Sequence, residues 1–412
     1  MADQVLDRRL FCGATLASMS APLLGIERAE PARDISLEQD FDELWETLAA
    51  RYCFFGEKAT DWDAVRAFHR PLALAATSLD AFAAALGRML HELYDAHTHL
   101  NDAPEGTPRF PPFDLLVERA RDVTRVVAVE ESSAAAAAGL RPGDEILAAD
   151  GMPMDEAAAS LLPRCLSRRD RAADAYAWNA AVAGRRGRPR LLLVRSGGAC
   201  SPRAVPLPLS RRAPEPDLSF ARRGDVGTIR ISTFGEEGTV ARFDAALSAL
   251  KDTRGLVIDV RRNGGGDTAI ARPIMGRFID ARRPYARMRR RQGAGLGPFW
   301  TEHVEAPVVV LCDAWSASMA EGFPMGMRGL GRARIVGTPM MGLGAAVFAI
   351  RLDRTGIQAQ YSAEPVHDVA DRPRWLLRPD VEVAPGQDIM AAGLAELHRL
   401  IDLAALAAPR RP

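Results

Sequence analysis

"GLVIDVRRNGGGD", residues 255–267, opens with a short apolar run of the kind that forms a strand buried on both faces. It then breaks at Asn263 and three consecutive glycines. Two more runs of the same character follow, "PVVVL" (307–311) and "ARIVG" (333–337), each succeeded by helical or loop sequence. Ahead of them "VGTIRIST" (226–233) reads as a strand and "TVARFDAALSALKD" (239–252) as a helix. Strands and helices in alternation predict an α/β core over 217–412. It begins after the linker "SRRAPEPD" (210–217) and ends with a hairpin, "AAVFAIRL" and "GIQAQYS", and the helix "QDIMAAGLAELHRLIDLAAL".

Upstream, the pattern changes twice. Over 33–107 the period is helical: "LEQDFDELWETLAARY" places Phe41, Leu44, Trp45 and Leu48 on one face, and "SLDAFAAALGRMLHELYDAH" repeats this after a Ser78 cap. Past the Pro- and Gly-bearing break "APEGTPRFPP" (103–112), residues 108–210 read as short strands with one small-residue helical segment, "SSAAAAAGL". The 412 residues therefore divide into two or three domains.

Composition excludes several classes. Lys plus Arg and Asp plus Glu each number 53, so no general field favours nucleic acid. No run is long and apolar enough for a stable membrane span. Residues 1–32 carry Arg8-Arg9, a mildly apolar stretch and then small residues, the build of an export signal of twin-arginine type, with Asp7 where Ser or Thr is usual. The expectation is a periplasmic or extracellular protein. Cys53, Cys165, Cys200 and Cys312 lie far apart without a CxxC. A Cys165–Cys200 disulfide would suit an oxidising compartment, and buried free thiols are the alternative. The basic run "ARMRRRQG" (286–293) is balanced by flanking acids and reads as solvated. His91, His97 and His99 lack HExxH spacing and acidic or Cys partners, so neither a metal nor another cofactor is expected.

"DAWSASMAEGF" (313–323) raises the chemical question, because it sets Ser316 and Ser318 in a turn between an apolar strand and a helix. Most serines there are N-caps. Taken with the segments around them, however, these residues resemble the carboxyl-terminal processing peptidases and their tricorn-like relatives. "GLVIDVRRNGGGD" matches the family's strand and Asn/Gly-rich loop, "SASMAE" its serine motif, and "GRARIVGTPMMGLG" (331–344) the strand and loop that follow. "AGLRPGDEILAADG" (138–151) resembles the PDZ signature of bacterial proteases, with Gly143-Asp144 turning into a strand that holds Ile146 and Leu147. The resemblance implies a ClpP/crotonase-like core, an N-terminal helical region and an inserted PDZ-like β-rich domain.

It also implies roles. Ser318 would be the nucleophile, with Gly265 or Gly266 and the Met319 amide as oxyanion donors. Processing peptidases draw their base from a lysine in "GxxxxGKG", whereas this chain reads "GTPMMGLG" with Leu343 at the lysine position. A Ser–Lys dyad at this place is excluded. The tricorn-like branch uses a histidine ahead of the core, and "LYDAHTHL" (93–100) offers His97, with His99 next and Ala96 where those enzymes carry a serine. The residue that orients the imidazole would come from Glu364, Asp368 or Asp371, with Asp371 slightly ahead on spacing before "RPDVEV". Asp95 reads as structural. The expectation is an exported serine endopeptidase acting on polypeptide, with activity rising through about pH 6–7 as imidazole loses its proton. The alternatives are an inactive peptide-binding member of the same fold and a hydrolase of esters or small peptides.

Overall fold

A computed structural model describes residues 37–197, 201–209, 215–288 and 304–407. The export segment, Cys200, most of the 210–217 linker and the basic run beyond Met288 lie outside them.

Three helices come first: α1 (Leu37–Arg51), α2 (Trp62–Leu74) and α3 (Leu79–His91). Asp61 and Ser78 cap the second and third, accepting from the amides of Ala64 and Ala81. The strand β1 (His99–Leu100) leads into a β-rich stretch. This comprises β2 (Leu115–Ala120), β3 (Val123–Val129), α4 (Ala134–Ala137), β4 (Glu145–Ala149), β5 (Met152–Pro153), α5 (Met154–Ala159), α6 (Arg171–Ala183), β6 (Arg190–Arg195) and β7 (Arg203–Leu207). These strands pair antiparallel in the order β2-β3-β4-β6-β7, with β5 also on β4. They close over a core of their own, in which Ile146, Leu192, Val194 and Val205 are almost wholly buried. The segment "AGLRPGDEILAADG" thus packs in this sheet and not in the α/β one.

The remaining elements are β8 (Leu218–Arg223), β9 (Val226–Ile231), α7 (Thr239–Ala249), β10 (Gly255–Asp259), α8 (Thr268–Gly276), β11 (Arg287–Met288), β12 (Val308–Cys312), α9 (Met319–Gly329), β13 (Ala333–Gly337), β14 (Ala345–Arg351), β15 (Gln358–His367), β16 (Val381–Glu382) and α10 (Ile389–Ala407). Their main sheet runs β16-β13-β12-β10-β9-β8, parallel except for the outer β8. Every residue of β10 and β12 is buried, as expected where helices cover both faces. Leu256 and Ile258 face the cluster holding Phe243, Phe278 and Phe323, while Val257 faces the one holding Leu397 and Ile401 of α10. The expected hairpin is β14–β15. It shares a core with α1–α3, where Ala359 and Tyr361 pack among Phe41, Leu44, Leu86 and Met89. β1 pairs with the start of β15, which brings the segment carrying His97 onto the same strand. Among the described residues no helix is long and apolar enough to cross a membrane.

Candidate active site

The ends of β10 and β12 lie side by side in register, Asp259 opposite Leu311, so the loops that follow them meet. After β12 the chain turns at Asp313, whose carboxylate accepts from the amides of Arg262 and Trp315. Ser316 belongs to this turn. It is fully buried, donates to the Val260 carbonyl (2.9 Å) and accepts from the Asp313 amide (3.0 Å). Its hydroxyl is structural.

Ser318 is different. It stands half-buried at the head of α9 with φ 53° and ψ −113°, a backbone setting that is costly for a residue with a Cβ. The turn thereby thrusts the side chain out of the line of the helix. Gly265 packs directly against it: a Cβ there would lie 2.8 Å from Ser318 Cβ and 2.9 Å from the Met319 nitrogen, and its φ is +104°. Only glycine fits. A Cβ on Gly266 would likewise lie 2.3 Å from the Phe234 carbonyl carbon, so glycine is required there too. The two glycines are not equivalent donors, because the Gly265 amide already donates to Asn263 Oδ1 at 2.7 Å. The amide of Met319, first residue of α9, has no preceding turn to bond, and no hydrogen bond engages that of Gly266 among the described residues. Gly266 and Met319 therefore present the two backbone amides that the loop leaves open.

Glu321 and Arg374 fasten this corner, and neither stood out in the sequence as part of the site. The Glu321 carboxylate accepts from the amides of Ser318 (2.9 Å), Gly342 (3.0 Å) and Leu343 (2.8 Å). Burial pushes its carboxyl up to about 7, against the pull of the Arg374 cation and those three amides. Arg374, also buried, donates to the carbonyls of Leu343 and Ala345. The half-buried Leu343 thus keeps its backbone tied to the serine turn although its side chain offers no base.

His97 is buried at 7% exposure. Its amide donates to Asp95 Oδ1 and its carbonyl accepts from Gln360, which holds it beside β15. Asp95 also accepts from Tyr52, Thr98 and Ser362, a structural hub as expected. The Arg374 cation acts on both His97 and Glu321. Three expectations need correction. No hydrogen bond joins His97 to Ser318. Its buried Nδ1 has no partner, so Asp371, Glu364 and Asp368 do not orient it here. Asp368 instead closes its own turn through the amides of Ala370 and Arg372 and the Arg372 side chain, while Asp371 sits half-buried in that turn at φ 66°. Finally, the ring is not an ordinary imidazole: burial first, then the Arg374 charge, against the attraction of Asp95, pull it down to about 4. His99 is half-buried and stacks on Phe110, away from this corner.

Residues 225–383 match the model for peptidase family S41, and residues 36–91 that for the tricorn protease C1 domain. The carboxy-terminal processing protease CtpB of Bacillus subtilis (strain 168) is 37% identical over 129 residues, 30% of this chain and 27% of the relative's length. Among solved structures, the photosystem II D1 C-terminal processing protease aligns at TM-score 0.55 and 18% identity, over 88% of this chain and 97% of that one. Mature CPAF aligns at 0.58 and 17%, over 90% and 97%. At that identity the two structures speak for the fold alone. The match to peptidase family S41 spans β9 to β16 and takes in the glycine loop and the serine turn, so residues 225–383 carry a peptidase family S41 domain, preceded over 36–91 by a tricorn C1 domain.

Proposed function

We propose that this chain is a serine endopeptidase acting on polypeptides through an acyl-enzyme on Ser318, with His97 as general base. The observation that carries it is the contact between Gly265 and Ser318, a strained serine packed onto a glycine loop with two backbone amides left open beside it. Ser318 Oγ attacks the peptide carbonyl and His97 takes its proton. The oxyanion is received by the amides of Gly266 and Met319. Collapse breaks the C–N bond as the imidazolium protonates the leaving amine, and a water activated by His97 then releases the acyl group. His97 must close on Ser318 for this, and such bonds commonly tighten only around substrate. Carboxyl-terminal segments are the proposed substrates, with the 115–207 module acting as a PDZ-like domain that takes an extended chain end as an added strand.

A second reading, an inactive peptide-binding protein, is favoured by Leu343 and by the missing His97–Ser318 bond. A fluorophosphonate probe separates the two. It is expected to label wild-type protein once, on the peptide containing Ser318, and to leave Ser318→Ala unlabelled. An unlabelled wild-type chain would sink the peptidase reading.

The proposed route out of the cytoplasm is the twin-arginine one, on the strength of Arg8-Arg9. Replacing both by lysine should trap the precursor inside the cell, whereas normal secretion of that variant would argue for the general secretory route.

A further inference from the structure

The first helices and the β-rich module meet along residues 161–170. There Asp61 N–H donates to the Cys165 carbonyl (2.8 Å), Thr60 bridges to Leu166, and His91 Nε2 bonds the Leu161 carbonyl (2.7 Å). Three metal-ligating side chains converge at this seam. His69 comes from α2, Glu92 from the end of α3, and Cys165 from the segment between α5 and α6. They are 5%, 3% and 8% exposed, and one donor atom from each lies within 4.8 Å of the others. Among the described residues no other such trio occurs.

We propose that His69, Glu92 and Cys165 bind a single zinc-class divalent cation that staples the helical region to the inserted module. The trio shares no residue with the proposed catalytic set, so neither proposal depends on the other.

The donor set and its support both favour such an ion. Imidazole, carboxylate and thiolate together suit Zn2+ rather than Mg2+ or Ca2+, which take oxygen ligands. Glu92 is already oriented as a ligand: its Oε2 accepts from the amides of Arg164 (2.7 Å) and Cys165 (2.9 Å), leaving Oε1 aimed at His69 Nε2 at 2.9 Å. An outer oxygen pinned by backbone donors is the usual support of a metal-binding carboxylate. Zinc–ligand bonds of about 2.0–2.3 Å place tetrahedral donors roughly 3.3–3.7 Å apart, so the His69–Glu92 pair need open only by about half an ångström. Charge also balances, since Zn2+ with one carboxylate and one thiolate is neutral. That matters in a wall that also presents Arg88 and Arg164. A cavity of about 660 Å³, lined in part by Phe68, His69, Leu72 and Glu92, adjoins the trio and gives water a way in.

The test uses the full chain, reduced and stripped with chelator, titrated with Co2+ as the spectroscopic probe and then with Zn2+. One Co2+ per chain should bind with a thiolate-to-cobalt charge-transfer band, and stoichiometric Zn2+ should displace it. Cys165→Ser should lose the band while keeping the wild-type circular dichroism. Glu92→Gln preserves an acceptor for the two amides but removes the charge, and should weaken binding at least tenfold. Zn2+ should raise the melting temperature of the wild type most, that of Glu92→Gln by less at the same concentration, and that of Cys165→Ser least. Absence of stoichiometric binding would overturn the proposal, leaving an ordinary buried His–Glu pair. So would a band that survives Cys165→Ser, which would assign the metal to another thiol.

Discussion

Ser318→Ala should remove peptide hydrolysis almost entirely, by about 10⁴–10⁶ in kcat, with the fold intact. The side chain is half-buried and sits at the mouth of a turn whose shape is held by Asp313, Ser316, Asn263 and Glu321, so losing one hydroxyl leaves those contacts in place. His97→Ala should cost a similar factor, because nucleophile and base act as one unit and their losses do not add. The double variant should then be no worse than either single one. Residual turnover above water would come from the Gly266 and Met319 amides. Ser316→Ala provides the contrast. It breaks buried hydrogen bonds to Val260 and Asp313, so its loss should appear as lowered stability, about 1–3 kcal/mol, rather than as a vanished chemical step. If His97→Ala retained full activity, another base would have to serve Ser318.

How much of this was readable beforehand follows from the kind of signal involved. Short buried strands such as Val308–Cys312 announce themselves by uninterrupted β-branched and aliphatic residues, and the sheet they form is the one anticipated. The hairpin β14–β15 was equally legible, as were α1 by its period and α3 by its cap, whereas α2 was covered only by the helical reading of 33–107 as a whole. The motifs put Ser318 and the glycine loop forward together, and the fold does pack Gly265 against Ser318, but the motif could not say which glycine amide is open. That depended on Asn263, whose side chain folds back two residues to take the Gly265 N–H. Arg374 escaped notice for a related reason. It lies 31 residues beyond Leu343 in sequence, and nothing local marks an arginine as buried until the turn after β15 carries it under the serine corner. The ordinary imidazole assumed for His97 failed on the same ground, since burial and a distant cation are tertiary facts.

Arg374→Met is expected to produce the largest combined change outside the reacting groups. Its guanidinium satisfies two carbonyls in a buried place, and charged hydrogen bonds of this kind are each worth roughly 1.5–3 kcal/mol, so the variant should lose about 3–5 kcal/mol of stability. Removing the cation should also raise the proton affinity of both His97 and Glu321, since it lowers each at present. Stability against pH would report this poorly. The depressed His97 contributes stability that is present above the unfolded value of 6.5 and lost as pH falls toward about 4. The raised Glu321 contributes stability present below its unfolded 4.5 and lost as pH climbs toward about 7, so the two oppose each other across most of that range. The rate is the cleaner readout. Catalysis needs neutral His97, so wild-type kcat/KM should stay level well below pH 6.5 and fall only as pH approaches about 4. In Arg374→Met the falling limb should move to higher pH, toward the ordinary imidazole range. A wild-type limb already centred near 6.5 would mean that the catalytic imidazole is not held in this buried, cation-facing setting, and the role given to Arg374 would fail with it.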